Sequence, residues 1–123
     1  MYDNNNVFAK IVRGEIPANK ICENEHALSF YDVNPVATTH ALVIPKGEYT
    51  DMLDFVSNAS ADEQIKYWDC FRQTAQKINA CENCNIVANV GRGVYFAQSV
   101  PHFHTHIIAG QPLVDLKTTI LEH

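Results

Sequence analysis

The feature that most constrains this chain is the stretch His102-Phe103-His104-Thr105-His106-Ile107-Ile108, which holds three of its six histidines. A β-strand sends residues i, i+2 and i+4 to one face. As a strand, the stretch sets three imidazoles in a row, with neighbouring Cα atoms roughly 6–7 Å apart. Phe103, Thr105 and Ile107 then point the other way, and the two apolar residues suit a core. A helix would scatter the same rings around its circumference.

Three readings of the row stay open on spacing alone. The first is a set of half-buried polar groups on a sheet. It is poor for three rings in strict alternation, because each buried imidazole needs partners. The second is a metal site, since zinc accepts three histidines plus water. The third is nucleophilic catalysis through a covalent phosphoryl-type intermediate. One ring nitrogen then attacks, while an acceptor holds the other as N–H. Neighbouring histidines would contact phosphate oxygens or protonate a leaving group. Gln98, Ser99 and loop amides after the glycines add neutral donors for an anion.

At 123 residues the chain is expected to be a single domain spanning 1–123, with a core over about 7–110 and a C-terminal tail over 111–123. A net charge of −5 argues against a broad basic surface for nucleic acid or membrane. No stretch reaches the roughly 20 apolar residues of a membrane span. The first residues do not have the pattern of a secretory signal, so a cytoplasmic setting is expected. Cys22, Cys70, Cys81 and Cys84 are expected to be reduced thiols. Cys81-Glu-Asn-Cys84 follows a helix and precedes a strand, and no second C-x-x-C exists, so it is read as a pair of loop cysteines.

In chain order, Asn6 is expected to cap a short helix over Val7 to Val12, stopped by Gly14 and Pro17. Strands are expected over Lys20 to Glu23 and Ala27 to Asp32. A central strand covers Thr39 to Pro45, with His40 at its start. A short helix or a helical turn is expected over Tyr49 to Val56. Ser60-Ala-Asp-Glu63 matches a capping box and opens a helix to about Asn79. Ile65, Trp68, Phe71, Ala75 and Ile78 form its expected core stripe. A strand over Asn85 to Asn89 and a loop from Gly91 to about Val100 lead to the histidine strand, which Gly110-Gln-Pro112 is expected to break. The pattern implies an α+β domain, an antiparallel sheet with the long helix packed on it.

The histidine run resembles the His-x-His-x-His-φ-φ signature of the histidine triad (HIT) superfamily. Phe8-Ala-Lys-Ile-Val-Arg-Gly-Glu-Ile-Pro17, Phe30-Tyr-Asp32-Val-Asn-Pro35 and Thr39-His-Ala-Leu-Val-Ile-Pro-Lys46 resemble successive blocks of its Hint branch. Asn89 with Gly91, then Gln98-Ser99, continue the match. The resemblance implies a five-stranded antiparallel sheet with one long helix and a short N-terminal helix, and a homodimer with a continuous sheet. It implies hydrolysis or transfer at the α-phosphate of nucleoside phosphoramidates or related purine nucleotides, with release of a nucleoside monophosphate. His104 matches the nucleophile, and His102 and His40 its supports, with the His102 carbonyl holding the non-attacking nitrogen of His104. His106 matches the phosphate contact and Asp32 the ribose-binding acid, with Val33 lining the base pocket. Asn89, Gln98 and Ser99 match the phosphate and leaving-group contacts. The alternatives are a Fhit-like dinucleoside polyphosphate hydrolase and a nucleotide-binding regulatory module with weak catalysis.

Departures from the pattern are specific. Asn6, Ala9 and Glu48 stand where many bacterial relatives carry accessory zinc ligands, so no metal or other cofactor is expected. The loop between Asn89 and Gln98 is longer than the Hint pattern, and Ala97 replaces a usual glycine. Arg92 is read as a solvated loop residue, and His26 and His123 as surface residues. The tail has no tryptophan of the kind some Hint proteins send into a partner's site.

Overall fold

The computed structural model describes residues 2–91 and 98–115. The expectations for Arg92, Ala97 and the rest of that loop, and for the tail beyond 115 with His123, lie outside the described residues.

Among the described residues there are three helices, α1 (Val7–Val12), α2 (Met52–Asn58) and α3 (Ala61–Lys77). Among the same residues, five strands follow the order β1 (Lys20–Glu23), β2 (Ala27–Tyr31), β3 (Ala37–Pro45), β4 (Asn85–Val87) and β5 (Thr105–Pro112). They form one antiparallel sheet in the spatial order β1-β2-β3-β5-β4. The fold is α+β. Local chemistry starts α1 and α3 where the sequence places them, and α2 at Met52 instead of the expected Tyr49. Asn6 Oδ1 accepts from Ala9 N at 2.9 Å, Asp51 caps α2, and Ser60 with Glu63 completes both bonds of a capping box.

The sheet is covered on both faces. Val43, Phe103 and Ile107 pack with Phe55, Tyr67 and Cys70 on the α3 side. Leu28, Phe30, Leu42 and Ile44 pack with Phe8 and Ile11 of α1 on the other. Strand alternation divides these sets, so even-numbered residues of β3 and β5 face α1. That face carries the histidines.

Three expectations are corrected. The histidine strand begins at Thr105, not at His102. Before it, His102 N donates to Val100 O at 2.8 Å and Phe103 N to Tyr49 O at 2.7 Å, so these amides turn away from the ladder. Gly110-Gln-Pro112 does not break the strand, which runs to Pro112. The pairing of β3 with β5 shifts register between Ala37 and Thr39, and Gly110 takes φ +80° opposite that shift. A glycine in this region lets a bulged strand continue. Thr38 Oγ1 accepts from Gln111 N at 2.9 Å and closes the irregularity.

The core face of α3 is also rotated from the expected stripe. Its buried residues are Tyr67, Cys70 and Thr74. Phe71, Ala75 and Ile78 are half-buried at its margin, whereas Ile65 is 66% exposed and Trp68 36%. Polar atoms explain the rotation. Tyr67 OH donates to Val43 O at 2.9 Å and lies 2.7 Å from Thr105 Oγ1. Thr74 Oγ1 donates to Ser29 Oγ at 2.6 Å. Hydrogen-bonded polar side chains occupy the contact line that apolar spacing assigned to Trp68. Among the described residues no helix is long and apolar enough to cross a membrane.

Candidate active site

The site is a pocket of about 400 Å³ on the α1 face of the sheet. Phe8 and Ile11 of α1, Phe30 of β2 and Leu42 of β3 form an apolar wall. Asp32, Val33, Ser99, His104 and His106 complete it. His40 and His102 lie one layer behind, and Asn89 and Gln98 are not in the lining. Val33 stands at the rim, 90% exposed.

Each imidazole has its protons placed by its partners. His104 Nδ1 lies 2.7 Å from the His102 carbonyl oxygen, which only accepts. The proton therefore resides on Nδ1, and Nε2 of His104 carries the lone pair. Phe8 meets the same ring edge-on, with centroids 4.9 Å apart, and limits its tilt.

A second chain of bonds reaches His106. Val36 N donates to His40 Nδ1 at 3.2 Å, so the proton of His40 is on Nε2. His40 Nε2 lies 3.0 Å from His106 Nδ1 and 3.3 Å from Asp32 Oδ2. His106 Nδ1 accepts, which leaves an N–H on its Nε2. The two pocket histidines, with ring centroids 4.9 Å apart, thus differ in chemistry. His104 offers a lone pair and His106 a donor.

His102 is buried and points away from the pocket. Its Nε2 donates to Pro45 O at 2.8 Å, and its Nδ1 lies 2.6 Å from Tyr2 OH. Burial pushes its pKa down to about 4; the Pro45 bond opposes the shift and His104 adds to it. His102 is therefore neutral near pH 7, and its main-chain carbonyl is the group that meets His104.

Asp32 is engaged on both carboxylate oxygens. Its Oδ1 accepts from Asn34 N at 2.8 Å, an Asx turn, and its Oδ2 faces His40. Gln98 is tied into its loop, with Nε2 donating to Thr50 O at 2.6 Å and its backbone N to Gly91 O at 2.9 Å. Asn89 follows β4, and its buried Nδ2 has no hydrogen-bond partner among the described residues.

Asp32, His40 and His106 bring three potential ligand atoms within 4.8 Å of one another. The tautomer of His40 opposes a metal there. An imidazole that ligates through Nε2 carries its proton on Nδ1. In His40 that atom instead faces the Val36 N–H. Asn6 and Ala9, at two of the accessory-ligand positions, cap and build α1. Cys81 and Cys84 are free thiols between α3 and β4.

Tyr2, Val36 and Phe8 are site residues that the sequence reading did not assign. Phe8 was legible only as one residue of an apolar helix face. Val36 acts through its backbone amide, which any residue but proline supplies, so no sequence signal exists. Tyr2 lies 100 positions from its partner and has no local signature.

Comparison with known proteins bears on the family and the fold. The HIT domain model matches residues 13–113. An uncharacterized 13.2 kDa HIT-like protein from Azospirillum brasilense is 48% identical over 113 residues, covering 91% of each chain. The adenosine 5′-monophosphoramidase hnt1 of Schizosaccharomyces pombe is 36% identical over 102 residues, covering 83% of this chain and 71% of that protein. Among solved structures, a HIT family hydrolase from Legionella pneumophila superposes with a TM-score of 0.74 at 32% identity, covering 89% of this chain and 96% of that one. With its five-stranded sheet, histidine pocket and match over most of its length, the chain belongs to the HIT domain family.

Proposed function

We propose that this protein is a nucleoside phosphoramidate hydrolase of the Hint-like branch, acting on purine nucleotides in two displacements through His104. The bond from His104 Nδ1 to the His102 carbonyl carries the reading. It holds the nucleophilic tautomer in a ring that lines the pocket. In the first displacement, the Nε2 lone pair attacks the α-phosphorus. A nitrogen–phosphorus bond forms to His104, and the bond to the leaving amine breaks. The amine departs with a proton taken from solvent. In the second, water adds to phosphorus and gives up a proton to solvent, the histidine–phosphorus bond breaks to return His104 as its neutral Nδ1–H form, and the nucleoside monophosphate leaves. His106 Nε2–H donates to a phosphate oxygen as charge develops, and His40 with Asp32 holds that donor in place.

The apolar wall of Phe8, Ile11, Phe30 and Leu42 suits a stacked base. Asp32 is a carboxylate in the pocket lining, the acceptor type that ribose hydroxyls need. Ser99 lines the pocket and offers a hydroxyl for the leaving group. Asn89, outside the lining, is assigned a substrate contact by the resemblance alone, for which its buried amide, without a partner among the described residues, is a suitable donor. Gln98 supports the loop that presents Ser99. The relative from Schizosaccharomyces pombe, named an adenosine 5′-monophosphoramidase, favours a phosphoramidate substrate. The protein works as a cytoplasmic homodimer, with the exposed edge strand β4 extending the sheet into a second copy.

Turnover of adenosine 5′-phosphoramidate against diadenosine polyphosphate tests the substrate class. Faster release of AMP from the phosphoramidate is expected. A preference for the polyphosphate would move the protein to the Fhit-like class. Tight AMP binding with negligible turnover of both would make it a binding module.

A further inference from the structure

The side chain of His102 is held at both ring nitrogens, although it does not enter the pocket. Nε2 lies 2.8 Å from Pro45 O. A carbonyl only accepts, so Nε2 carries the proton and Nδ1 a lone pair. Only a donor can serve that lone pair, and the phenol of Tyr2 stands 2.6 Å away. Asn6 Nδ2 donates to the same phenol oxygen at 3.0 Å. This leaves the phenol proton for His102. Asn6 Oδ1 meanwhile caps α1, and α1 carries Phe8 against His104. The Tyr2 ring also meets the His102 ring edge-on, with centroids 5.7 Å apart. Every polar atom along this line has a partner, and the line ends at the carbonyl that sets the tautomer of His104.

We propose that Tyr2 is a positioning residue for His104. It completes a two-point clamp on the His102 ring, and so fixes the direction of the His102 carbonyl. Residues 102–104 precede β5 and lie outside its ladder; the peptides at His102 and Phe103 are held by single bonds, Phe103 N to Tyr49 O and His102 N to Val100 O. Without the clamp, the His102 side chain has one anchor, at Pro45, and the peptide that carries its carbonyl can swing about the Phe103 N–Tyr49 O bond. The His104 Nδ1–H bond then lengthens, and the other neutral tautomer gains population. That tautomer carries its proton on the attacking nitrogen and is inert as a nucleophile. Tyr2 does not line the pocket, so its influence falls on the chemical step and not on substrate binding.

The kinetic arm of the test rests on the proposed phosphoramidate reaction, and the spectroscopic arm does not. Tyr2→Phe keeps the ring and removes only the hydroxyl. With adenosine 5′-phosphoramidate, kcat is expected to fall about tenfold with KM unchanged. In substrate-free protein labelled with nitrogen-15 at histidine, wild-type His104 is expected as the pure Nδ1–H tautomer, and Tyr2→Phe as a mixture. The His102 Nδ1 resonance should also move as its lone pair loses a donor. A thermal melt checks that the variant folds. An unchanged His104 tautomer overturns the proposal, whatever happens to stability or rate. A rise in KM at constant kcat also overturns it. If the wild type has no phosphoramidase activity, the proposed function fails, and the tautomer measurement still decides the role of Tyr2.

Discussion

His104 and His106 are separated by one residue, yet each shows the pocket a different kind of nitrogen. The difference comes from what each ring touches behind it. A carbonyl behind His104 fixes N–H there, and the Nε2–H of His40 behind His106 fixes a lone pair there. The spacing of the histidines was legible in the sequence, and the family resemblance assigned them roles. Of the groups that set the tautomers, the His102 carbonyl was anticipated through the resemblance alone, and the Val36 amide was not legible, because a main-chain atom leaves no residue-type signal. His102 itself makes a testable contribution to stability. Its folded pKa is about 4 against an ordinary 6.5. Between these values the unfolded chain binds a proton that the folded chain refuses. The contribution is therefore complete above pH 6.5 and is lost as pH falls toward 4. The loss amounts to about 3 kcal/mol, from roughly 1.4 kcal/mol per unit. Urea unfolding at a series of pH values should show this slope, and His102→Gln should flatten it. An equal slope in the variant would assign the acid sensitivity elsewhere.

At the scale of elements, helix starts were legible because capping is local. Asn6 and Ser60 each bond an amide three residues on. The lower boundary of β5 and the buried face of α3 were not. Both depend on long-range polar bonds, such as Tyr67 to Val43 and His102 to Pro45, that apolar periodicity does not record. Gly110 was read as a strand breaker for the same reason. Its positive φ is useful only opposite the register shift in β3. A Cβ added there would lie 2.0 Å from Thr38 Oγ1. Gly110→Ala is accordingly expected to destabilise the protein by about 1–3 kcal/mol, from the steric conflict and the strained φ together. Denaturant midpoints would check this. A neutral substitution would mean that the bulge relaxes freely.

The whole molecule places one sheet between a structural face and a chemical face. α3 covers the first, and α1 with the pocket occupies the second. The sheet ends in β4, a short edge strand on which Ile86 is 57% exposed. If this edge joins two copies, Ile86→Lys should shift the protein from dimer to monomer in light scattering. A wild-type monomer, or a variant dimer of unchanged strength, would contradict that assembly. The central claim concerns His104, and intact-protein mass spectrometry tests it directly. Wild-type protein is mixed with adenosine 5′-phosphoramidate, quenched in the first turnover, and mapped by peptide. The account predicts an adenylate adduct on His104, absent from His104→Ala, which should also lose turnover by orders of magnitude. An adduct on another residue, or full turnover by His104→Ala, would contradict it.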